Sequence, residues 1–317
     1  MMVSGATGFI GQALVTSMLK LGHDVSALNR SKADNLPRGV KQVVIGDLSN
    51  LKSSQIVDDL RGIDVVVHTA ARVHVMNDTS ADPLAEFRKV NLDGTMALAR
   101  QAAEAGVKRF VFLSSIKVNG ESTRPGKPFA AEDEPAPEDP YGVSKAEAEA
   151  ALLTLADATG MEVVIIRPVL VYGPGVRANF NSLMRWLSYR VPLPLGMIQN
   201  KRSMVALDNL VDLIITCLDN PAAVNQVFLV SDGEDLSTTE LLSRVGVSLG
   251  KPAILLPVPA WLIRSSAGLL GKSAMAERLT GSLQVDITKT RDLLGWIPPV
   301  TVDDALLETT RSFLSNE

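Results

Sequence analysis

Short apolar runs alternate with longer stretches in which apolar residues recur every three or four positions. The runs Met1–Ser4, His23–Leu28, Val40–Ile45, Ile63–Val67, Lys108–Leu113 and Glu162–Arg167 predict strands. Between them, Gln12–Leu21, a stretch from about Leu51, Asp82–Ala105 and Tyr141–Thr159 predict helices, with Gly106 and Gly160 as stops. Strand–helix alternation with near-continuous apolar strands is the pattern of an α/β protein with a doubly wound, Rossmann-type parallel sheet. Residues 1–170 are expected to build that sheet, to which residues of about 203–231 return. Residues 171–317 are expected to form a smaller C-terminal portion that binds substrate. There Asn179–Tyr189 predicts a helix, Lys201–Cys217 a strand then a helix, Gln226–Val230 a strand and Val302–Phe313 a last helix. Residues 116–140, rich in Pro, Gly and charge, are either a lid or a solvated excursion.

Composition narrows the function classes. The 317 residues are 46% hydrophobic and 21% charged, with a formal net charge of −4, which argues against a general affinity for nucleic acid or anionic lipid. A single cysteine, Cys217, excludes an internal disulfide and sits in an apolar run that predicts a buried, inert thiol. His23, His68 and His74 lack metal-ligand spacing, so no metal is implied. No run reaches 18 apolar residues and no signal peptide precedes the first strand, so a cytoplasmic protein without a membrane span is expected. The first strand is short at its N-terminal end, which leaves open a native start upstream of Met1.

The chemistry begins at Gly5-Ala6-Thr7-Gly8-Phe9-Ile10-Gly11, a G-x-x-G-x-x-G turn between the first strand and the first helix. Glycines there let a pyrophosphate approach the backbone at the helix N-terminus, where free N–H groups and the helix dipole favour anions. The candidate dinucleotide contacts in this turn are Gly5, Thr7, Gly8, Phe9, Ile10 and Gly11. The second strand ends in Asn29-Arg30 without the carboxylate that usually holds an unphosphorylated ribose. Arg30 and Lys32 suit a 2′-phosphate, so the expectation leans to NADP(H) over NAD(H). Asp47, followed by Leu48, is placed to bond the adenine amino group or to cap the next helix. Ala70 and Ala71 end the fourth strand with small side chains that admit a flat ligand.

Tyr141-Gly142-Val143-Ser144-Lys145 opens the fourth predicted helix. Spacing of four puts Tyr141 and Lys145 on one face, where a cation can draw the phenol from its ordinary pKa of about 10 towards neutrality. A shift of roughly three units takes about 4 kcal/mol.

With the glycine turn, Ser115 and Tyr141/Lys145 in this order, the chain resembles an extended short-chain dehydrogenase/reductase of the NAD-dependent epimerase/dehydratase family. Gly46-Asp47-Leu48, Asn91-x-Asp93-Gly94-Thr95, Arg167-Pro168, Tyr172-Gly173-Pro174 and Leu294-Gly295-Trp296 also match it. The resemblance implies that Ser115 polarises a sugar oxygen, Tyr141 is the acid/base, and Lys145 holds the nicotinamide ribose. Asn91 and Pro168 fall among the implied cofactor contacts, and Asn179 and Arg202 among the contacts to a UDP-sugar diphosphate. The family's dehydratases need an Asp-Glu pair after the catalytic Ser or Thr; Ile116 and Lys117 stand there, which excludes that elimination. Two reactions at C4 remain. One is reduction of a UDP-4-keto-6-deoxy-(N-acetyl)hexosamine by exchangeable NADPH; the other is 4-epimerisation of a UDP-hexose with retained NAD. The missing carboxylate and Asn119, at a position where many epimerases carry Tyr, put the reductase first. So does Ser115–Gly120, which is similar to bacterial polysaccharide-cluster enzymes of the UDP-N-acetylquinovosamine type. An inactive cofactor-binding scaffold is the remote alternative. The resemblance also implies a homodimer through Asp82–Ala105 and Tyr141–Thr159. The apolar segment Ile254–Leu279, with Arg264, Lys272 and Arg278, is expected to be packed helices rather than a membrane contact.

Overall fold

The computed structural model describes residues 1–73, 80, 82–176 and 178–315, with the side chains of 178, 179 and 274 outside the description. Ten strands are formed among the described residues: β1 Met2–Ser4, β2 Ser26–Asn29, β3 Lys41–Val44, β4 Val65–His68, β5 Arg109–Leu113, β6 Glu162–Pro168, β7 Leu170–Tyr172, β8 Arg202–Ala206, β9 Gln226–Val230 and β10 Asp235–Leu236. Seven make one sheet in the order β3-β2-β1-β4-β5-β6-β9, parallel throughout. The chain leaves β1 for β2 on one side and reaches β4 on the other. This reversal opens a crevice at the carboxyl ends of β1 and β4, the usual ligand position in such sheets.

Period-two alternation assigns each strand residue to a face. Val3, Val67, Val111 and Val164 pack with Leu14, Val15 and Met18 of helix Phe9–Lys20 and with Leu210 and Ile214 of helix Leu207–Thr216. Their neighbours Met2, Val66, Phe110 and Val163 pack on the other face with Leu98, Ala102, Leu152 and Ala156. The sheet is therefore covered on both sides, which is why its central strands read as unbroken apolar runs.

The smaller portion holds a second sheet, β10-β8-β7, that the apolar pattern did not predict. Of residues 203–231, β9 joins the large sheet, whereas β8 pairs with β7 and β10. Residues 116–140 are stitched to the C-terminal part. Thr123 N donates to Ser282 O at 2.8 Å, Phe129 N to Gln284 O at 2.9 Å, and Asp286 N to Phe129 O at 2.8 Å. The stretch Asp82–Ala105 is helix Pro83–Arg88, a wider π-turn over Lys89–Gly94, and helix Thr95–Glu104.

Candidate functional site

The glycine turn is built as its spacing requires. Gly5 has φ +73°, and a Cβ on it would stand 2.6 Å from the Ala70 nitrogen. A Cβ on Gly11 would stand 2.2 Å from the Gly5 carbonyl oxygen, so helix Phe9–Lys20 can lie against the turn only with glycine there. Gly8 occupies the N-cap and offers no side-chain hydrogen bond, leaving the first-turn N–H groups uncapped. Thr69 Oγ1 donates to Ser4 O at 2.7 Å, tying the β1 and β4 ends together at the crevice.

At the end of β2, Asn29 is buried and its Oδ1 has no hydrogen-bond partner, while Nδ2 reaches Gln42 at 3.3 Å. Asp47 Oδ1 accepts from Ser49 N at 3.0 Å and caps the short turn Leu48–Asn50. Its own hydrogen bonds to Ser49 hold the Asp47 carboxyl below its ordinary range, with a smaller contribution from Arg30. The exposed Arg30 guanidinium lies 3.7 Å from that carboxylate.

Helix Pro140–Thr159 carries Tyr141 and Lys145. Asp139 caps it, accepting from Gly142 N at 2.7 Å, and Gly160 closes it at φ 74°. A Cβ on Gly142 would stand 2.7 Å from Lys117 O, so glycine lets the helix start press on the turn Ile116–Val118 that follows Ser115. Lys117 Nζ binds Asp139 and, at 2.8 Å, Glu121. The residue that stands in place of a dehydratase carboxylate is thus a cation clamped to the cap.

Lys145 is buried, with Nζ 2.8 Å from Leu113 O and 4.3 Å from the Phe112 ring centroid. Burial lowers its pKa to about 7, against a smaller upward pull from Glu149. Burial pushes the Tyr141 phenol up to about 12; Ser115 draws it down and Asp139 raises it. Lys145 is not among the groups that move the Tyr141 phenol in this arrangement. The ammonium is spent on the Leu113 carbonyl and the Phe112 face instead.

Several residues support the site from behind, and among them Glu149 gave no sequence signal. Glu149, one turn beyond Lys145, receives Arg167 at 2.6 and 3.0 Å and also the Ser114 hydroxyl. Arg167 Nη1 donates to Asn119 Oδ1 at 2.9 Å, and Asn119 Nδ2 to Ala130 O at 2.9 Å. His68 is clasped between the Ser4 and Thr95 hydroxyls and kept neutral by burial, which lowers its pKa to about 3. Asn91 ties the β4 end to helix Pro140–Thr159. Its Oδ1 accepts from Arg72 N at 2.8 Å and its Nδ2 donates to Arg72 O and Ser144 Oγ, so it fixes the Ala70-Ala71 shelf against the catalytic helix. Pro168 ends β6, buried beside Val230. On the substrate side, Arg202 Nη1 donates to Arg278 O at 2.9 Å, and burial lowers its pKa. The side chain of Asn179 lies outside the described residues, as does His74. No group of three or more His, Cys, Asp or Glu able to hold a metal occurs among the described residues.

A seven-stranded Rossmann-like sheet with Ser115, Tyr141 and Lys145 beyond its carboxyl edge defines a class of nucleotide-dependent enzymes. Residues 1–231 match the NAD dependent epimerase/dehydratase family, and the chain belongs to that family. It is 52% identical over 315 residues to a UDP-glucose 4-epimerase of Vibrio cholerae, covering 99% of this chain and 95% of the relative. The fold is that of UDP-glucose 4-epimerase from Thermotoga maritima, with a TM-score of 0.80 at 22% identity over 99% and 98% of the two chains. MoeE5, solved with UDP-glucose and NAD, superposes with a TM-score of 0.77 at 26% identity, covering 99% and 98%. The residues present fit such a dinucleotide: the uncapped helix start offers free N–H groups to an anion, Asn29 Oδ1 is buried without a donor, and the Gly5/Gly11 cradle admits no Cβ.

Proposed function

We propose that the protein is a UDP-hexose 4-epimerase that works with a retained NAD. The observation that carries this reading is the 52% identity to a UDP-glucose 4-epimerase over 99% of the chain, with Ser115, Tyr141 and Lys145 all in place. Two reasons for putting the reductase first lose their weight. Arg30 is exposed and lies 3.7 Å from the Asp47 carboxylate, which competes with a 2′-phosphate for it. Asn119 is consumed by Arg167 and Ala130 inside the fold, so its identity says little about the sugar.

When bound, the nicotinamide supplies a two-electron acceptor beside C4. Tyr141 takes the proton of the C4 hydroxyl as that carbon is oxidised to a ketone and gives it back when the opposite face is reduced. Ser115 donates to the same oxygen. Bringing the phenol from about 12 to near neutrality takes roughly 7 kcal/mol at 1.36 kcal/mol per unit. The Lys145 ammonium, recharged beside a bound cofactor, would supply it together with the cationic ring in a water-poor site. Lys145, poised near 7, is the residue whose charge can be restored there. Gly5–Gly11 would hold the pyrophosphate, Asn29 the adenosine ribose and Asp47 the adenine. Arg202 would meet the UDP diphosphate with the paired donors of a guanidinium, and Asn179 is assigned to the same group by the family resemblance alone.

The test is UDP-glucose labelled with deuterium at C4, incubated without added nucleotide. UDP-galactose that keeps the label supports epimerisation within one active site; no C4 interconversion of either UDP-glucose or UDP-N-acetylglucosamine contradicts it.

A further inference from the structure

Helix Ala260–Leu269 buries none of its residues. Trp261 is 67%, Leu269 90% and Leu270 72% exposed. The packed helices expected over Ile254–Leu279 are therefore open to solvent along this face. The surface continues into its neighbours. Leu193 N donates to Ile254 O at 2.9 Å and Met197 pairs with Pro259, so the stretch that follows the exposed Trp186 and Tyr189 runs beside the segment leading into this helix. Arg264 donates to Thr280 through Nε at 2.8 Å and Nη2 at 3.2 Å, fixing helix Ser273–Thr280 beside it.

Charge is distributed with a strong bias. Val163–Leu207 carries six basic residues and no acidic one, and Leu241–Val285 carries five basic residues and one acidic one, Glu277. The whole chain has 31 basic and 35 acidic residues. Within these runs Arg167 is buried against Glu149 and Arg244 pairs with Glu234 and Asp303, while Arg185, Arg190, Arg264, Lys272 and Arg278 are exposed cations against Glu277. Lys272 and Arg278 are exposed on the helix beside the apolar face, and Arg185 and Arg190 flank Trp186 and Tyr189.

We propose that this face docks the protein peripherally on an anionic lipid surface. Tryptophan and tyrosine favour the headgroup boundary, leucines enter the acyl edge, and lysine and arginine pair with acidic headgroups. No described helix is long and apolar enough to cross a membrane, so the contact is a surface one. A second copy is the poorer occupant, because a two-fold interface would set this cationic patch against itself. The proposal does not depend on the sugar chemistry.

The experiment is co-sedimentation of the full chain with phosphatidylcholine vesicles, with and without phosphatidylglycerol. Binding is expected only with the anionic lipid and is expected to weaken as salt rises. L269E/L270E and K272E/R278E are each expected to lower it by roughly tenfold or more while the circular dichroism melt is unchanged. Absence of sedimentation with phosphatidylglycerol vesicles overturns the proposal. So does dissociation of an oligomer by L269E/L270E with vesicle binding unaffected, which assigns the patch to a second copy.

Discussion

Glu149 and Arg167 form a buried ion pair, with Nη2 2.6 Å from Oε2 and Nε 3.0 Å from Oε1, one helical turn beyond Lys145. The pair joins helix Pro140–Thr159 to β6 directly behind the candidate catalytic residues. Removing one partner strands the other charge in a dry site. Glu149→Gln is expected to cost about 3–5 kcal/mol, read as a lower urea midpoint. A double replacement, Glu149→Leu with Arg167→Met, is expected to recover much of that loss, since it leaves no charge unpaired.

Lys145 gives the nucleotide-free protein a distinctive pH dependence. Burial moves its pKa from 10.5 to about 7, so between those values the unfolded chain holds a proton that the folded chain has released. Stability therefore rises with pH across that window, and the penalty is full below it. Lys145→Met is expected to flatten the rise, compared by urea denaturation near pH 7 and near pH 10 as rough window limits. An unchanged slope in the variant would mean that Lys145 is charged when folded.

What the sequence displayed and what it hid follow a physical division. The glycine turn and the Tyr141/Lys145 spacing act within a few residues, so local order alone exposes them. Glu149, Arg167 and Asn119 are spread over 48 residues and meet only once the sheet is assembled. A glutamate in an Ala- and Glu-rich helix carries no mark that it is buried. Asp47 was ambiguous between adenine contact and cap, and its cap bonds to Ser49 are made. The small sheet escaped because β7 and β10 are three and two residues long, too short to show a period. The segment 116–140 displayed only loop chemistry, since its order comes from pairing with Ser282–Asp286 far along the chain.

Asp139 lies on both the stability and the proton chemistry of the site. Its charge raises the Tyr141 phenol, and its carboxylate both caps the helix and receives Lys117. Asp139→Asn retains an acceptor for Gly142 N but removes the charge. The limb of the pH–rate profile assigned to Tyr141 is expected to move to lower pH, and the melting temperature to fall as Lys117 loses its partner. A limb shifted to higher pH would contradict the assignment.

Gly11→Ala tests the cradle. The new Cβ would sit 2.2 Å from the Gly5 oxygen, a contact the turn can relieve only by moving away from the helix. Binding of NAD, measured by isothermal titration calorimetry, is expected to weaken by roughly a hundredfold, with stability lowered by about 1–3 kcal/mol.

Tyr141→Phe separates proton transfer from binding. Turnover is expected to fall by roughly 10²–10⁴-fold while NAD still binds. Full activity in this variant would remove Tyr141 from the chemistry.

The most direct measurement is the identity and exchange of the nucleotide carried by the purified protein. Denaturing it, identifying what is released, and following added NADPH in the presence of UDP-hexoses and of a UDP-4-keto-6-deoxy sugar addresses the cofactor and the reaction together. The 4-epimerase account predicts tightly held NAD, interconversion of UDP-hexoses and no net consumption of NADPH. An empty site with stoichiometric NADPH oxidation on the keto sugar would contradict it.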